Sequence, residues 1–241
     1  MGIVPGACKR REAPLLVAVA ANMQLPAEQL IHDFQKQSGT RAELIVSSSG
    51  KLTAQIKAGA PYDLFLSADM RYPASLQEEG YLIAEPLVYA LGRLTLWSKH
   101  TDSISGLTDL LRPNISHIAI ANPAHAPYGQ AAWSLLEQNE LLQALQPKLI
   151  YAESIAQVNH LMLLGTVQAA LTSTAIVHSE HWQTSDRQLL LSAAQHQPIE
   201  QGVALLKNSQ KPAAARDFYA YLFSKEGQHT LSNFGYQMPN Q

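Results

Sequence analysis

The chain has little cysteine, little net charge and no long hydrophobic run, and each absence excludes a class of protein. Its 241 residues include one cysteine, Cys8, which excludes an intramolecular disulfide and a cysteine-rich metal site. The formal charge of −2 supplies no field to attract nucleic acid or an anionic membrane. No apolar stretch approaches the roughly 20 residues of a membrane span. We therefore expect no nucleic-acid partner and no membrane-spanning segment.

What is present is the composition of a globular protein, arranged as alternating strands and helices. Hydrophobic residues make up 46% and charged residues 15% of the chain, as in ordinary packed domains. Apolar runs of strand length, such as Leu15–Ala21 and His117–Ala121, precede loops predicted at Asn22–Gln24 and Asn122–Gln130, and a helix is predicted over Leu52–Ala58. This order predicts an α/β fold with largely parallel sheets, in which ligands bind beyond the carboxyl ends of the strands.

The N-terminus has some features of an export signal. Basic residues 9–11 precede the apolar run, which contains an A-x-A pattern at residues 18–20, as in a secretory signal peptide. Glu12 interrupts the basic stretch, however, and seven apolar residues are short for an export core. We interpret Leu15–Ala21 as a buried first strand and find no convincing signal peptide in this chain.

The sequence SSSGK at residues 47–51 matches one catalytic motif and fails another. Ser48 and Lys51 fit S-x-x-K, the nucleophile motif of penicillin-recognising acyl-transferases, but the S-D-N and K-T-G elements of that chemistry are absent. A phosphate-binding P-loop would require glycine and a hydroxylic residue where this chain has Ile45 and Leu52. A serine acyl-enzyme therefore stays a lesser alternative, and the P-loop is excluded.

The serine run also fits the opening of a helix. Small hydroxylic residues satisfy the first free N–H groups of a helix, and those N–H groups carry a partial positive charge that favours anions. Similar polar helix openings recur along the chain, at Asn22, Ser49, Tyr128 and Ser154. The pattern predicts neutral donors that surround a small oxyanion.

Other titratable residues do not form a site. His178 and His181 are spaced as a possible metal pair, but no third ligand accompanies them, so we predict no metal site. Asp63 and Asp69 flank a predicted strand, so they are not expected to act as a catalytic acid–base pair.

The segments VAVAAN, SSSGKLTAQIKAGAPYDLFLSAD and NPAHAPYGQ resemble the periplasmic molybdate-binding proteins of ABC importers. The likeness runs from about Leu15 to the C-terminus, and the segment from Ser47 to Asp69 is its most specific part. It implies a type II periplasmic binding protein fold, with two α/β lobes of mostly parallel sheet and a ligand cleft between them. On this basis lobe I comprises residues 1–90 and 199–241, and lobe II comprises residues 91–198.

The resemblance also implies a set of ligand-binding residues. Ser49 would donate its hydroxyl and N–H, and the Tyr128 and Ile155 positions would donate backbone N–H groups. Some family members place a tyrosine hydroxyl where this chain has Thr172, so either Thr172 or Tyr128 would make that contact. The expected oxyanion ligands are Asn22, Ser49, Tyr128, Ile155 and Thr172, with Ala21, Ser48 and the neighbouring Ser47 as secondary candidates.

The function implied by the resemblance is binding without chemistry. The expected ligand is molybdate, and also tungstate, with no cofactor and no enzymatic activity. A sulfate- or phosphate-type oxyanion binder remains an alternative. The expected partner is the membrane permease of an ABC importer, the expected location is the periplasm, and the expected state is a monomer.

Overall fold

A computed structural model of the protein describes residues 13–99, 104–179, 182–183, 185–192, 196 and 198–239. Cys8, the basic stretch at residues 9–11 and His181 lie outside the described residues. Within these ranges ten strands form two five-stranded sheets, and no helix is long and apolar enough to cross a membrane.

The first sheet is parallel at one side and antiparallel at the other. Strands β1, β2 and β3 run parallel, whereas β10 pairs antiparallel with both of its neighbours. The strand order is β2 (Ala42–Ser47), β1 (Leu15–Ala20), β3 (Leu64–Ser67), β10 (Ile199–Leu205) and β4 (Leu87–Gly92).

The second sheet repeats this arrangement. The first three strands in its order are parallel, and the fourth strand, β5, pairs antiparallel with its neighbours β8 and β9. The strand order is β7 (Leu149–Ala152), β6 (Ile118–Ala121), β8 (Ala169–Ser173), β5 (Leu94–Ser98) and β9 (Arg187–Leu190).

Helices cover both sheets because apolar strand faces must be removed from water. The described α-helices are α1 (Gln24–Ser38), α2 (Ser49–Lys57), α3 (Arg71–Glu78), α4 (Pro127–Gln138), α5 (Leu142–Leu145), α6 (Ile155–Leu163), α7 (Pro212–Leu222) and α8 (Lys225–Asn233). Short 3-10 helices occur at Ala21–Met23, Leu107–Leu111, Gln146–Lys148 and Thr174–His178. One core cluster surrounds the second sheet, and two clusters cover the opposite faces of the first.

The chain passes between the sheets in two places. Strand β4 ends at Gly92 in the first sheet and β5 begins at Leu94 in the second; later the chain returns from β9 to β10. The fold is therefore the two-lobed α/β architecture expected from the sequence. The predicted boundaries at 90/91 and 198/199 stay a prediction.

Three segments near the predicted ligand site are more helical than the sequence analysis indicated. The helix predicted over Leu52–Ala58 begins at Ser49, because Ser48 is extended and serves as its N-cap. The loop predicted at Asn122–Gln130 ends early, because Pro127 occupies the first turn of α4, a position that suits its fixed φ. The loop predicted at Asn22–Gln24 is wrong: a 3-10 turn leads there directly into α1.

Asp63 connects the start of the first sheet to the segment before α7. Its carboxylate is buried and accepts hydrogen bonds from the Leu16 N–H (2.7 Å), the Ser209 hydroxyl (2.7 Å), the Gln210 N–H (2.8 Å) and the Lys211 N–H (3.0 Å). Buried charges are tolerated when such bonds replace their hydration. Asp63 is thus a structural residue that connects these segments.

Substituting Asp63→Asn should lower the free energy of unfolding by about 2–3 kcal/mol, because the amide carries no charge and directs its own N–H groups toward backbone donors. Urea unfolding followed by circular dichroism measures the change. The matched control is Asp33→Asn, since Asp33 accepts one bond from Gln29 on the surface of α1. Equal midpoints for the two variants would contradict this role.

Candidate functional site

A small cavity lies between the two sheets, at the carboxyl ends of their parallel strands. It contains about 210 Å³ of space not filled by atoms, part of it open to solvent. Its lining residues come from both lobes: Ala20, Ala21, Asn22, Ser48, Ser49, Ala68, Ala126, Pro127, Tyr128, Ser154 and Ile155. This is the position at which α/β sheets bind ligands.

Four helix N-termini meet at the cavity, two from each lobe. In lobe I they are the 3-10 turn that leads into α1 and the first turn of α2; in lobe II they are the first turns of α4 and α6. The first N–H groups of a helix have no carbonyl partner within it, and they carry a partial positive charge. The cavity is therefore surrounded by donors suited to an anion.

Two serine hydroxyls of lobe I add to these donors. Ser49 Oγ accepts a hydrogen bond from the Ala68 N–H at 3.0 Å, which leaves its own proton for another acceptor. Ser48 Oγ is buried and has no hydrogen-bond partner among the described residues. A buried hydroxyl without a partner is costly, so its presence in the lining points to a ligand that would accept from it.

Asn22 lines the cavity, but its amide is already engaged by lobe I. Its Nδ2 donates to Gln201 Oε1 at 2.7 Å and to the Tyr236 hydroxyl at 2.9 Å. The Tyr236 hydroxyl in turn donates to the Asn22 carbonyl at 3.0 Å, and Gln201 Nε2 donates to the Ala68 carbonyl at 3.1 Å. These bonds fix the orientation of the helix opening at Asn22, and they give both amide protons an acceptor within lobe I.

Tyr128 belongs to α4 of lobe II, yet its side chain reaches the strands that connect the lobes. Its hydroxyl is buried next to the Tyr236 hydroxyl and the Asn22 side chain. At Gly92 an added Cβ would lie 2.1 Å from this hydroxyl, so only glycine leaves room for it. Burial raises the pKa of Tyr128, as it does for Tyr89 and Tyr236. Because the hydroxyl packs at the crossing, the part of Tyr128 suited to an anion is its backbone N–H.

In lobe II the start of α6 has a side-chain cap. Ser154 Oγ accepts from the Gln157 N–H at 3.4 Å, which satisfies one of the helix donors. The N–H of Ile155, at the first helical position, has no carbonyl partner within the helix. The apolar Ile155 side chain is no obstacle, because the donor is the backbone.

Thr172 is the predicted ligand that the structure keeps apart from the others. Asn22, Ser49, Tyr128 and Ile155 line the cavity, as do the secondary candidates Ala21 and Ser48. Thr172 is buried in β8, outside that lining, and its hydroxyl donates to Asn159 Oδ1 at 2.7 Å. An aligned position alone could not reveal that this hydroxyl already has an acceptor inside lobe II.

The residues that line the cavity, all within the described part of the chain, carry no charge. Lys51, the nearest cation in sequence, pairs instead with Glu153, with 2.6 Å between Nζ and Oε2. Ser48 Oγ and Lys51 Nζ therefore do not form the hydrogen-bonded nucleophile–base pair that an acyl-enzyme requires.

The described residues also contain no metal site. His178 packs edge-on against Phe234, with ring centroids 5.9 Å apart, while His181 lies outside the described residues. Among the described residues no group of three His, Cys, Asp or Glu side chains could hold a metal ion.

Three residues that were not predicted from the sequence, Gln201, Tyr236 and Gly92, shape the site without lining it. A polar residue inside the buried run of β10 was the one available signal for Gln201. Tyr236 lies in the C-terminal segment, 214 residues after its hydrogen-bond partner Asn22, so no local sequence pattern indicated their contact.

Comparison with known proteins agrees with this architecture. A family model described as bacterial extracellular solute-binding protein matches residues 15–237. The molybdate-binding protein ModA of Rhodobacter capsulatus is 30% identical over 223 residues, 92% of this chain and 87% of the relative. The solved structure of the Azotobacter vinelandii periplasmic molybdate-binding protein is 30% identical, covers 94% of this chain and 100% of that one, and gives a TM-score of 0.87.

A more distant structure shows how widely the fold is shared. The sulfate-binding protein SubI of Mycobacterium tuberculosis matches with a TM-score of 0.76 at 16% identity, over 93% of this chain and 86% of that one. At this identity the likeness concerns the fold alone.

The chain belongs to the bacterial extracellular solute-binding protein family. Its fold is the two-lobed type II periplasmic binding protein fold that the sequence predicted. Within the family its relatives include the molybdate-binding proteins called ModA. Members of this class bind solutes for ABC transporters and are not enzymes, which confirms the prediction of no enzymatic activity.

Three of the buried tyrosines, Tyr89, Tyr128 and Tyr236, predict a loss of stability at alkaline pH. Their pKa values are raised in the folded protein, so above about pH 10 the unfolded chain releases protons that the folded chain retains. The unfolded state then binds fewer protons, and the free energy of unfolding falls as pH rises. Urea titrations between pH 9 and pH 11 (roughly spanning the ordinary tyrosine pKa) measure the slope.

Two variants separate ionisation from hydrogen bonding. Tyr236→Phe and Tyr89→Phe should each reduce the alkaline slope, because each removes one buried proton. At pH 7 Tyr236→Phe should cost about 1–2 kcal/mol, since it loses bonds to Asn22, whereas Tyr89→Phe should cost nothing, since its hydroxyl is unpartnered. Equal costs at pH 7 would show that the bonds to Asn22 do not matter.

Proposed function

We propose that this protein binds a tetrahedral oxyanion, molybdate and also tungstate, in the cavity between its lobes. The observation that carries the proposal is the meeting of four helix N-termini and two serine hydroxyls around an uncharged lining. The molybdate-binding proteins of R. capsulatus and A. vinelandii, each 30% identical to this chain, support molybdate as the ligand.

The physical basis is exchange of one hydrogen-bonding shell for another. A dianion that enters the cavity loses its water and accepts bonds from the hydroxyls of Ser48 and Ser49 and from free N–H groups such as those of Tyr128 and Ile155. Bonds to a charged acceptor are stronger than neutral ones, and donors already held in place lose little entropy. Because no fixed cation lines the cavity, separation of the lobes leaves the anion with only the neutral donors of a single lobe, which favours its release.

The lining also disfavours one competing ligand. At neutral pH monohydrogen phosphate carries a proton that needs an acceptor, and no carboxylate lines the cavity within the described residues. Molybdate, tungstate and sulfate carry no such proton. Sulfate is smaller than molybdate, so the fit to the closed cavity would discriminate between them.

Delivery would follow from opening of the lobes. The lobes that move would be residues 1–90 with 199–241 and residues 91–198, with the hinge at the two crossings. In this proposal the protein acts as a monomer in the periplasm and passes its ligand to the membrane permease of an ABC importer. Membership in the extracellular solute-binding family supports that location and that partner.

Isothermal titration of the dialysed protein with molybdate, tungstate, sulfate and phosphate tests the ligand. We expect one-to-one binding of molybdate and tungstate, with sulfate much weaker and phosphate silent. Binding of sulfate as tight as that of molybdate would favour the alternative of a general sulfate-type binder. Silence with all four anions would overturn the proposal.

We call the donors around the cavity the cradle: the Ser48 and Ser49 hydroxyls and the free N–H groups of the four helix N-termini. Ser49→Ala tests the cradle directly. Loss of one hydrogen bond to a buried anion should weaken molybdate binding by about 1–3 kcal/mol, or roughly fivefold to more than a hundredfold in Kd. The matched control is Ser47→Ala, two residues earlier and outside the cavity lining. An affinity equal to that of the control would remove the Ser49 hydroxyl from the site.

A further inference from the structure

The lobes meet at a second place, beside the cavity. The Gly50 N–H of α2 donates to the His125 carbonyl at 3.1 Å. Next to this bond, Lys51 Nζ lies 2.6 Å from Glu153 Oε2, and His125 Nε2 lies 3.6 Å from the same oxygen. We call Gly50, Lys51, His125 and Glu153 the latch. The Gly50–His125 and Lys51–Glu153 bonds join lobe I to lobe II, whereas His125 and Glu153 both belong to lobe II.

The latch and the cavity share the same loops. Gly50 and Lys51 directly follow Ser49, Glu153 directly precedes Ser154, and His125 directly precedes Ala126, and all three of these neighbours line the cavity. Separation of the lobes therefore breaks the latch and the ligand cradle together. Conversely, anything that holds the latch closed holds the cradle closed.

Gly50 permits the close approach of the lobes. A Cβ at this position would lie 2.7 Å from His125 Cβ, 3.1 Å from the His125 carbonyl oxygen and 2.9 Å from the Tyr72 hydroxyl. Two of these three atoms belong to the opposite lobe. Gly50 lies in the first turn of α2, where the helical backbone accepts residues with a Cβ, so the need for glycine arises from these close contacts, two of them with lobe II.

The Lys51–Glu153 ion pair contributes less to closure of the lobes than the steric fit at Gly50 does. The Lys51 and Glu153 side chains are 49% and 57% exposed, and pairs of this kind are worth little in water. The hydrogen bond and charge of Lys51 lower the pKa of Glu153. Glu153 therefore stays ionised at neutral pH, and its bond to Lys51 is one that only the closed arrangement can form.

We propose that the latch determines how long the closed cleft retains its ligand, and that its residues are positioning residues outside the cradle. The proposal rests on the proposed oxyanion-binding function. In this proposal Gly50 has the larger effect on the rate of ligand release, through its steric fit. The Lys51–Glu153 ion pair has the smaller effect, through its charges.

Stopped-flow release of molybdate from Gly50→Ala tests the steric element. We expect dissociation to accelerate about tenfold or more (about 1.4 kcal/mol per factor of ten), with little change in association. Alanine favours a helix over glycine, so thermal unfolding of the ligand-free variant should be unchanged or raised. Adding His125→Gly removes the closest clash and should restore part of the retention. Wild-type dissociation from Gly50→Ala would overturn the steric role.

Lys51→Met tests the ionic element, with Lys57→Met as its control. Both lysines lie on α2 and pair with a glutamate, but Lys57 pairs with Glu79 inside lobe I. Lys51→Met should accelerate release about twofold to fivefold at low salt and less at 1 M salt, where surface pairs are largely screened. Equal rates for the two variants would exclude the ion pair from the latch.

Zero-length cross-linking tests the latch without any ligand. A carbodiimide activates the Glu153 carboxyl, Lys51 Nζ forms an amide with it, and the reagent leaves as a urea. The Lys57–Glu79 pair inside lobe I is the internal standard for yield, which mass spectrometry measures. We expect molybdate to raise the Lys51–Glu153 yield in the wild type, and Gly50→Ala to lower it with and without ligand.

The outcomes separate the two proposals. If the wild type binds none of the four anions, the proposed function fails, while the ligand-free comparison of wild type with Gly50→Ala still decides the latch. A lower yield in the variant supports closure through Gly50. Equal yields overturn the latch, whatever the ligand proves to be.

Discussion

The structure depends on the way helix N-termini meet between the two lobes. A buried anion requires donors, and free N–H groups at helix openings supply them without a permanent charge. Parallel strands in both sheets direct the following helices so that their first turns face the same gap. The hydroxyls of Ser48 and Ser49 complete one side. The remainder of the fold serves to hold these openings at the right separation.

Two close contacts, one on either side of the cavity, depend on glycine and define how closely the two lobes approach each other. At the crossing strands Tyr128 reaches from lobe II into the space left by Gly92, next to the network that orients Asn22. At the other side Gly50 allows α2 to approach His125. At Gly50 an added methyl would meet His125 of the opposite lobe, and at Gly92 it would meet the Tyr128 hydroxyl where the chain crosses between the sheets.

Sequence patterns predicted the strand–loop–helix order and most of the cavity lining, because hydrophobic period and polar helix openings are local properties. They placed Asn22, Ser49, Tyr128 and Ile155 at strand ends, where the structure brings them together. They did not predict that α2 begins at Ser49, because in a run of three serines the sequence does not show which serine is the N-cap and which is the first helical residue. Thr172 was chosen by aligned position, which carried no information on its bond to Asn159.

The sequence by itself determined the fold class, the family and the neutral character of the cavity, because each follows from residue types in local order. Only the tertiary structure decided which donors remain free. The Asn22 amide is taken by Gln201 and Tyr236, the Thr172 hydroxyl is taken by Asn159, and Ser48 keeps an unpartnered hydroxyl. Hydrogen-bond partners distant in sequence are brought together by chain crossings, and no local pattern contains that information.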